Sequence, residues 1–115
     1  MVPLHNQKGQ VVGWLDDDDL LDLKGKYVAF ISDDSVISYD GNHVGWWLGD
    51  HMKGSDGGAL VFTPSAKAIG PYMPYLGFAP FEPFKEFKPF RPFVPFSPFK
   101  PYWTSSWSTA RFGGW

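Results

Sequence analysis

The sequence predicts an all-β fold: four β-hairpin repeats closed radially into a pseudo-fourfold mini-propeller, followed by a Pro/Phe triplet-repeat tail in polyproline II or extended conformation. Three observations carry the prediction. Gly9, Gly25, Gly41 and Gly57 stand sixteen residues apart, which marks one short unit written four times. Val12, Val28, Val44 and Leu60 come three residues after each Gly, and Trp14, Phe30, Trp46 and Phe62 come five after it. From Tyr72 the period becomes three, with an aromatic ring at every step to Tyr102. The boundaries fall at residues 3–66 for the hairpin domain and 67–115 for the tail.

Each repeat reads as strand, turn, strand. Lys8-Gly9, Lys24-Gly25, Asp40-Gly41 and Asp56-Gly57 occupy the bends. X-Gly suits a two-residue type I′ turn, where Gly takes positive φ without Cβ strain. First strands then cover residues 4–7, 20–23, 36–39 and 52–55, and second strands 10–15, 26–31, 42–47 and 58–63. The second strands are rich in Val, Ile, Trp, Phe and Tyr, which fit a pleated, half-buried surface.

Alternation puts Val12 with Trp14, Val28 with Phe30, Val44 with Trp46, and Leu60 with Phe62 on one core face. Gly13, Ala29, Gly45 and Val61 lie between them, and a small residue there admits close approach of a backbone or ring. Leu4, Leu20, Val36 and Met52 are expected opposite those positions, on the reverse face. Both faces are therefore apolar, and the second needs a cover. One hairpin cannot bury this much surface, whereas four closed about an axis leave few free edges.

Four repeats built on Gly-x-x-Val-(Gly/Ala)-(Trp/Phe) resemble the bacterial 4-fold beta flower proteins. The resemblance covers about residues 3–66, implies a closed flower-like β fold, and brings no catalytic residue with it. The fourth repeat departs furthest, with Leu60-Val61 in place of Val-Gly/Ala, and closure is expected to loosen there.

In the tail, Pro stands just before most of the rings, with Gly77 and Glu86 as exceptions. Pro at every third residue removes backbone donors and fixes φ, which excludes a helix or a central strand. Polyproline II has three residues per turn, so Phe78, Phe81, Phe84, Phe87, Phe90, Phe93, Phe96 and Phe99 share one edge of a rod. At ~3.1 Å per residue, residues 72–102 extend roughly 95 Å, whereas a compact head of this size is only some 20–30 Å across. Such a rod cannot lie wholly on its own head, and its Phe edge is expected to be buried by turning back on itself, by entering a partner or, the preferred reading, by packing against other tails. The last segment, from Tyr102 to Trp115, reads as a further strand or a docking plug.

Net charge is −2 and hides a split. Residues 1–66 carry four Lys against ten Asp, a balance of −6; residues 67–115 carry six Lys/Arg against two Glu, a balance of +4. The split favours contact between head and tail, within a chain or between chains; in the preferred reading Lys85, Lys88, Arg91 and Lys100 meet the Asp links of a neighbouring head, making assembly salt-sensitive. No nucleic-acid partner is implied. The chain has no Cys, no signal-peptide pattern near Met1 and no run of membrane-span length, so a cytoplasmic location is expected and a membrane partner is not.

No catalytic, cofactor or metal constellation stands out, and the chain reads as a non-enzyme. His5, His43 and His51 lack ligand-cluster spacing. Asp16 to Asp19 lack the alternation and Gly of a Ca²⁺ loop and read as a solvated turn. The functional reading is a structural or interaction module whose Phe/Pro tail, with Lys85, Lys88 and Arg91, mediates assembly into a homo-oligomer or docking to a protein. The alternative is a carbohydrate-binding module. Its platform would be Trp47, which breaks the repeat pattern set by Leu15, Ile31 and Thr63.

Overall fold

A computed structural model describes residues 1–115. Eight strands follow in chain order: β1 (Val2–His5), β2 (Val11–Asp16), β3 (Asp19–Asp22), β4 (Tyr27–Ser32), β5 (Ser35–Ser38), β6 (His43–Trp47), β7 (His51–Gly54) and β8 (Ala59–Phe62). Each pairs antiparallel with the next, and β1 meets β8, so the sheet closes into a barrel. The repeats are not separate blades, because β2–β3, β4–β5 and β6–β7 pair along three or four rungs each. The links between repeats are themselves tight turns. Asp17 and Asp33 adopt φ of 57° and 55°, and Gly49 takes the equivalent place at 93°.

The turns within the repeats differ from the expected type I′. Gly9 N–H donates to the Asn6 carbonyl at 2.9 Å, while Asn6 N–H donates to the Gln10 carbonyl at 2.9 Å. That pattern is a type I turn closed by a residue in the left-handed region, a three-residue loop. Only the glycines, at φ of 78°, 88°, 91° and 81°, are left-handed; Lys8, Lys24, Asp40 and Asp56 are not. The side chain that opens the loop completes it. Asn6 Oδ1 accepts from Lys8 and Gln10 N–H, and Asp22 Oδ1 accepts from Lys24 and Lys26 N–H.

Beyond this loop each second strand carries one extra residue, a bulge that corrects the predicted faces. Leu4 faces Gly13 but His5 faces Val11, so Val12 is the unpaired bulge residue. Val28, Val44 and Leu60 hold the same place in the other repeats. A bulge turns its residue toward the side of its neighbour. Val12, Val28, Val44 and Leu60 therefore pack with Leu4, Leu20, Val36 and Met52 in the barrel interior. Trp14, Phe30, Trp46 and Phe62 are buried too, but on the outer face. Leu4, Leu20, Val36 and Met52 do sit opposite Gly13, Ala29, Gly45 and Val61. At Gly13 an added Cβ would lie 2.4 Å from the Phe112 ring.

Closure is uneven. β8 and β1 share the single rung His5–Phe62, since no turn joins them. The free end of β8 is taken by the C-terminal segment instead. Ala59 bridges Trp107, its N–H donating to the Ser106 carbonyl and its carbonyl accepting from Ser108 N–H. Further on, Phe112 and Trp115 pack onto the interior cluster, and the Trp115 indole N–H donates to the Val28 carbonyl. The last segment thus combines one strand-like bridge with an apolar plug.

Candidate functional site: the tail around the head

The tail does not overrun its head as a straight rod. It curls around it, and the whole chain is a disc of 37 × 37 × 20 Å. Its backbone touches the glycine turns one after another. Gly77 N–H donates to the Gly9 carbonyl at 2.8 Å, Glu86 N–H to Gly25 at 3.0 Å, and Thr104 N–H to Gly57 at 3.0 Å. These donors belong to a series spaced by nine residues, 77, 86, 95 and 104, set against turns spaced by sixteen. Gly77 and Glu86 are the two places where the Pro register lapses, and Thr104 is the next after it ends. Pro has no N–H to give. At the third turn the register holds Pro95, and Gly41 accepts no such bond.

The turn glycines are needed for a second reason. A Cβ on Gly9 would lie 1.9 Å from the Tyr75 carbonyl oxygen, on Gly25 2.2 Å from that of Phe84, and on Gly57 2.3 Å from that of Tyr102. Only a residue without a side chain lets the strap lie this close. At Gly41 the nearest atom is Pro92 Cβ at 3.6 Å, a looser contact. The length also fits. At the ~3.1 Å rise of a polyproline II chain, nine residues would cover roughly 28 Å, and four such spans would make the perimeter of a circle about 36 Å across.

Charge holds the strap in place from inside the same chain. Lys85 pairs with Asp16 at 2.8 Å, Lys88 and Arg91 with Asp19 at 2.7 and 3.1 Å, and Lys100 with Asp34. The acidic links expected to receive a neighbouring molecule receive the chain's own tail. Asp19 is the hub: buried at the start of β3, it also accepts from the Tyr39 hydroxyl at 2.6 Å. Burial works to raise its carboxyl, but the bonds from Lys88, Tyr39 and Arg91 outweigh that and hold it below its ordinary value. Burial and then the Asp19 bond push the Tyr39 hydroxyl far up, so it stays a donor. Arg91 lies 4.8 Å over the Phe30 ring.

The outer rings of the barrel are thereby covered. Trp46 meets Trp103 at 5.4 Å between centroids, and Phe62 meets Trp107 at 5.8 Å. Trp14 packs with Leu21 and Tyr27 beside Met1 and Tyr39. Buried Lys53 reaches out of β7 to donate to the Thr104 carbonyl at 3.0 Å. In the fourth repeat Gly54 stands where the others have Asn6, Asp22 and Ser38, and Ser108 Oγ occupies the space a Cβ would need. Asp56 then binds Ser108 and Thr109.

With the polar edge turned inward, the Phe edge faces out. Phe78, Phe81, Phe84, Phe87, Phe90, Phe93, Phe96 and Phe99 are 98–104% exposed. Trp47 is half-buried and packs against the interior cluster beside Leu15 and Ile31, so it continues the repeat pattern inside. The histidines each have a local partner: His5 the Gly9 carbonyl, His43 the Ser35 hydroxyl and His51 the Asp50 carboxylate. No three His, Cys, Asp or Glu side chains converge as a metal site would require. No helix is long and apolar enough to cross a membrane.

Residues 2–115 match the 4-fold beta flower protein family. The chain belongs to the 4-fold beta flower protein family. The family match includes the tail, beyond the 3–66 span that carried the sequence resemblance. No curated protein and no solved structure matches the chain.

Two outcomes follow for the strap. Glu86→Pro removes the donor to Gly25 and should cost about 1 kcal/mol in denaturant unfolding. Glu86→Ala keeps the N–H and should stay within about 0.5 kcal/mol of the parent; equal effects would mean the bond does not form. Acid should release the strap. Asp19, Asp34 and Asp56 all lie below the ordinary 3.8, so the stability they add is complete above that pH and is lost as pH falls through their folded values. His43, lowered by burial from 6.5, brings an earlier loss once pH drops below that value. A pH series of unfolding curves, with Asp19→Asn flattening the lower step, checks both.

Proposed function

We propose that the protein is a non-catalytic interaction module whose tail, wound as polyproline II, mediates assembly with further copies of the same chain. The observation that carries this reading is the rim of eight fully exposed Phe side chains. A monomer rarely leaves a contiguous apolar surface of this extent in water. At ~150 Å² per ring the eight amount to about 1,200 Å², above the ~800 Å² that one partner contributes to a standard interface.

Two further observations favour a second copy as the occupant. Lys85, Lys88, Arg91 and Lys100 are already paired within the chain, so the rim offers rings and, besides exposed Glu86, no unpaired charge. A ladder with one ring every three residues is also self-complementary, since a second ladder offset by half a step places its rings in the gaps. The rim is convex, and one neighbour covers only a short arc of it. Several neighbours are needed, which makes the assembly larger than a dimer.

Light-scattering mass of the full chain beside a Phe81→Ser, Phe87→Ser, Phe90→Ser, Phe93→Ser variant tests this. The parent should exceed a dimer and the variant should be a folded monomer. Added salt should leave the parent's mass unchanged or raise it, because burial of rings and not charge between chains drives assembly. A monomeric parent that sediments with lipid vesicles would move the rim to a membrane surface and overturn self-assembly. A monomeric parent that does not sediment overturns it as well.

A further inference from the structure

We infer that the seam between the first and last strands is a binding groove for a small organic anion with an apolar body, a site independent of the aromatic rim. A fourfold repeat has four equivalent intervals between its units. Three are sealed by a turn and by three or four rungs of pairing. The fourth keeps only the His5–Phe62 rung, and beyond it the first glycine turn and the end of β8 separate. The C-terminal segment enters this gap but follows β8, bridging Ala59 through Trp107. Between that segment and the first turn lies a groove of about 570 Å³, within the usual range for small-ligand sites.

The lining specifies what fits. Buried Leu60 and Val61 and half-buried Phe112 make an apolar floor. Exposed Lys8 and Gln10 on the first turn and Arg111 on the facing segment make the mouth. The chain holds twelve Asp and Glu, yet none lines the groove, and neither Lys8 nor Arg111 is in an ion pair. The tail cations Lys85, Lys88, Arg91 and Lys100 all are. The carboxylate behind the wall, Asp56, is engaged by Ser108, Thr109 and Gly58. The loop bearing Lys8 is set in advance, since Asn6 Oδ1 holds the N–H groups of Lys8 and Gln10. Two unpaired cations over an apolar floor suit a carboxylate on an aryl or alkyl body, the anion taking charge-assisted bonds and the body the floor.

Titration of the full chain with phenylacetate, followed by amide chemical shifts, tests the site, with phenylacetamide as the neutral isostere. Phenylacetate should shift Lys8, Gln10, Arg111 and Phe112 saturably, and phenylacetamide should bind about tenfold more weakly. Lys8→Gln and Arg111→Gln are exposed changes and should each weaken phenylacetate several-fold while leaving phenylacetamide unaltered; Arg111→Lys should retain part of the affinity. Equal binding of acid and amide, indifference to both substitutions, shifts confined to another surface, or no shifts at all would each overturn the inference.

Discussion

The contact between tail backbone and turn glycines sets two periods against each other, and the rest of the molecule follows from their match. A head repeat of sixteen residues advances the chain by one quarter of the barrel. A tail repeat of nine advances it by one quarter of the perimeter. The two stay in phase from Gly9 to Gly57 because Gly77, Glu86 and Thr104 keep their N–H groups while their register mates are proline. Proline elsewhere in the tail limits the conformations of the free chain and so reduces the entropy lost on winding it into place. The strap is donor-poor by composition and spends its few donors where the head presents a carbonyl.

The division of labour among the remaining contacts follows from burial. Lys85–Asp16 and Lys100–Asp34 are largely exposed and contribute little stability as isolated pairs. Asp19, which is buried and held by three side chains, is a different matter, since removing its partners would leave a charge out of water. The larger apolar contribution comes from the rings that the tail lays over the barrel: Trp103 on Trp46, Trp107 on Phe62, and Phe112 with Trp115 on the interior cluster. Charge orients the strap and ring burial seats it. The outward Phe edge is what remains once the polar edge has been used, and it supports the proposal of an apolar partner.

Much of this was legible in the residues, and the failures have identifiable causes. The period of the four glycines gives the number of repeats and the closed all-β class. Pairing of Leu4, Leu20, Val36 and Met52 with Gly13, Ala29, Gly45 and Val61 follows from the two-residue turn expected, and it holds in the structure because the bulge offsets the extra loop residue. The assignment of Val12 and Trp14 to one face fails because X-Gly fits two hairpin loops, and in this fold the three-residue loop is followed by a bulge at Val12 that reverses one position. The straight-rod estimate failed because it compared the tail with the diameter of the head when the perimeter was the relevant length. Trp47 stood out as a large ring in place of Leu15 and Ile31, yet all three pack on the same interior cluster. The strap donors had a signal in the sequence, since the exceptions to the Pro register fall nine residues apart. Reading it requires setting that spacing against the sixteen of the head.

Amide hydrogen exchange across residues 72–104 of the native chain is the most direct test of the strap. The account predicts protection at Gly77, Glu86 and Thr104 and rapid exchange at the Phe amides between them. Uniformly rapid exchange, or protection without that nine-residue spacing, would contradict a tail held in register on the turns of its own head.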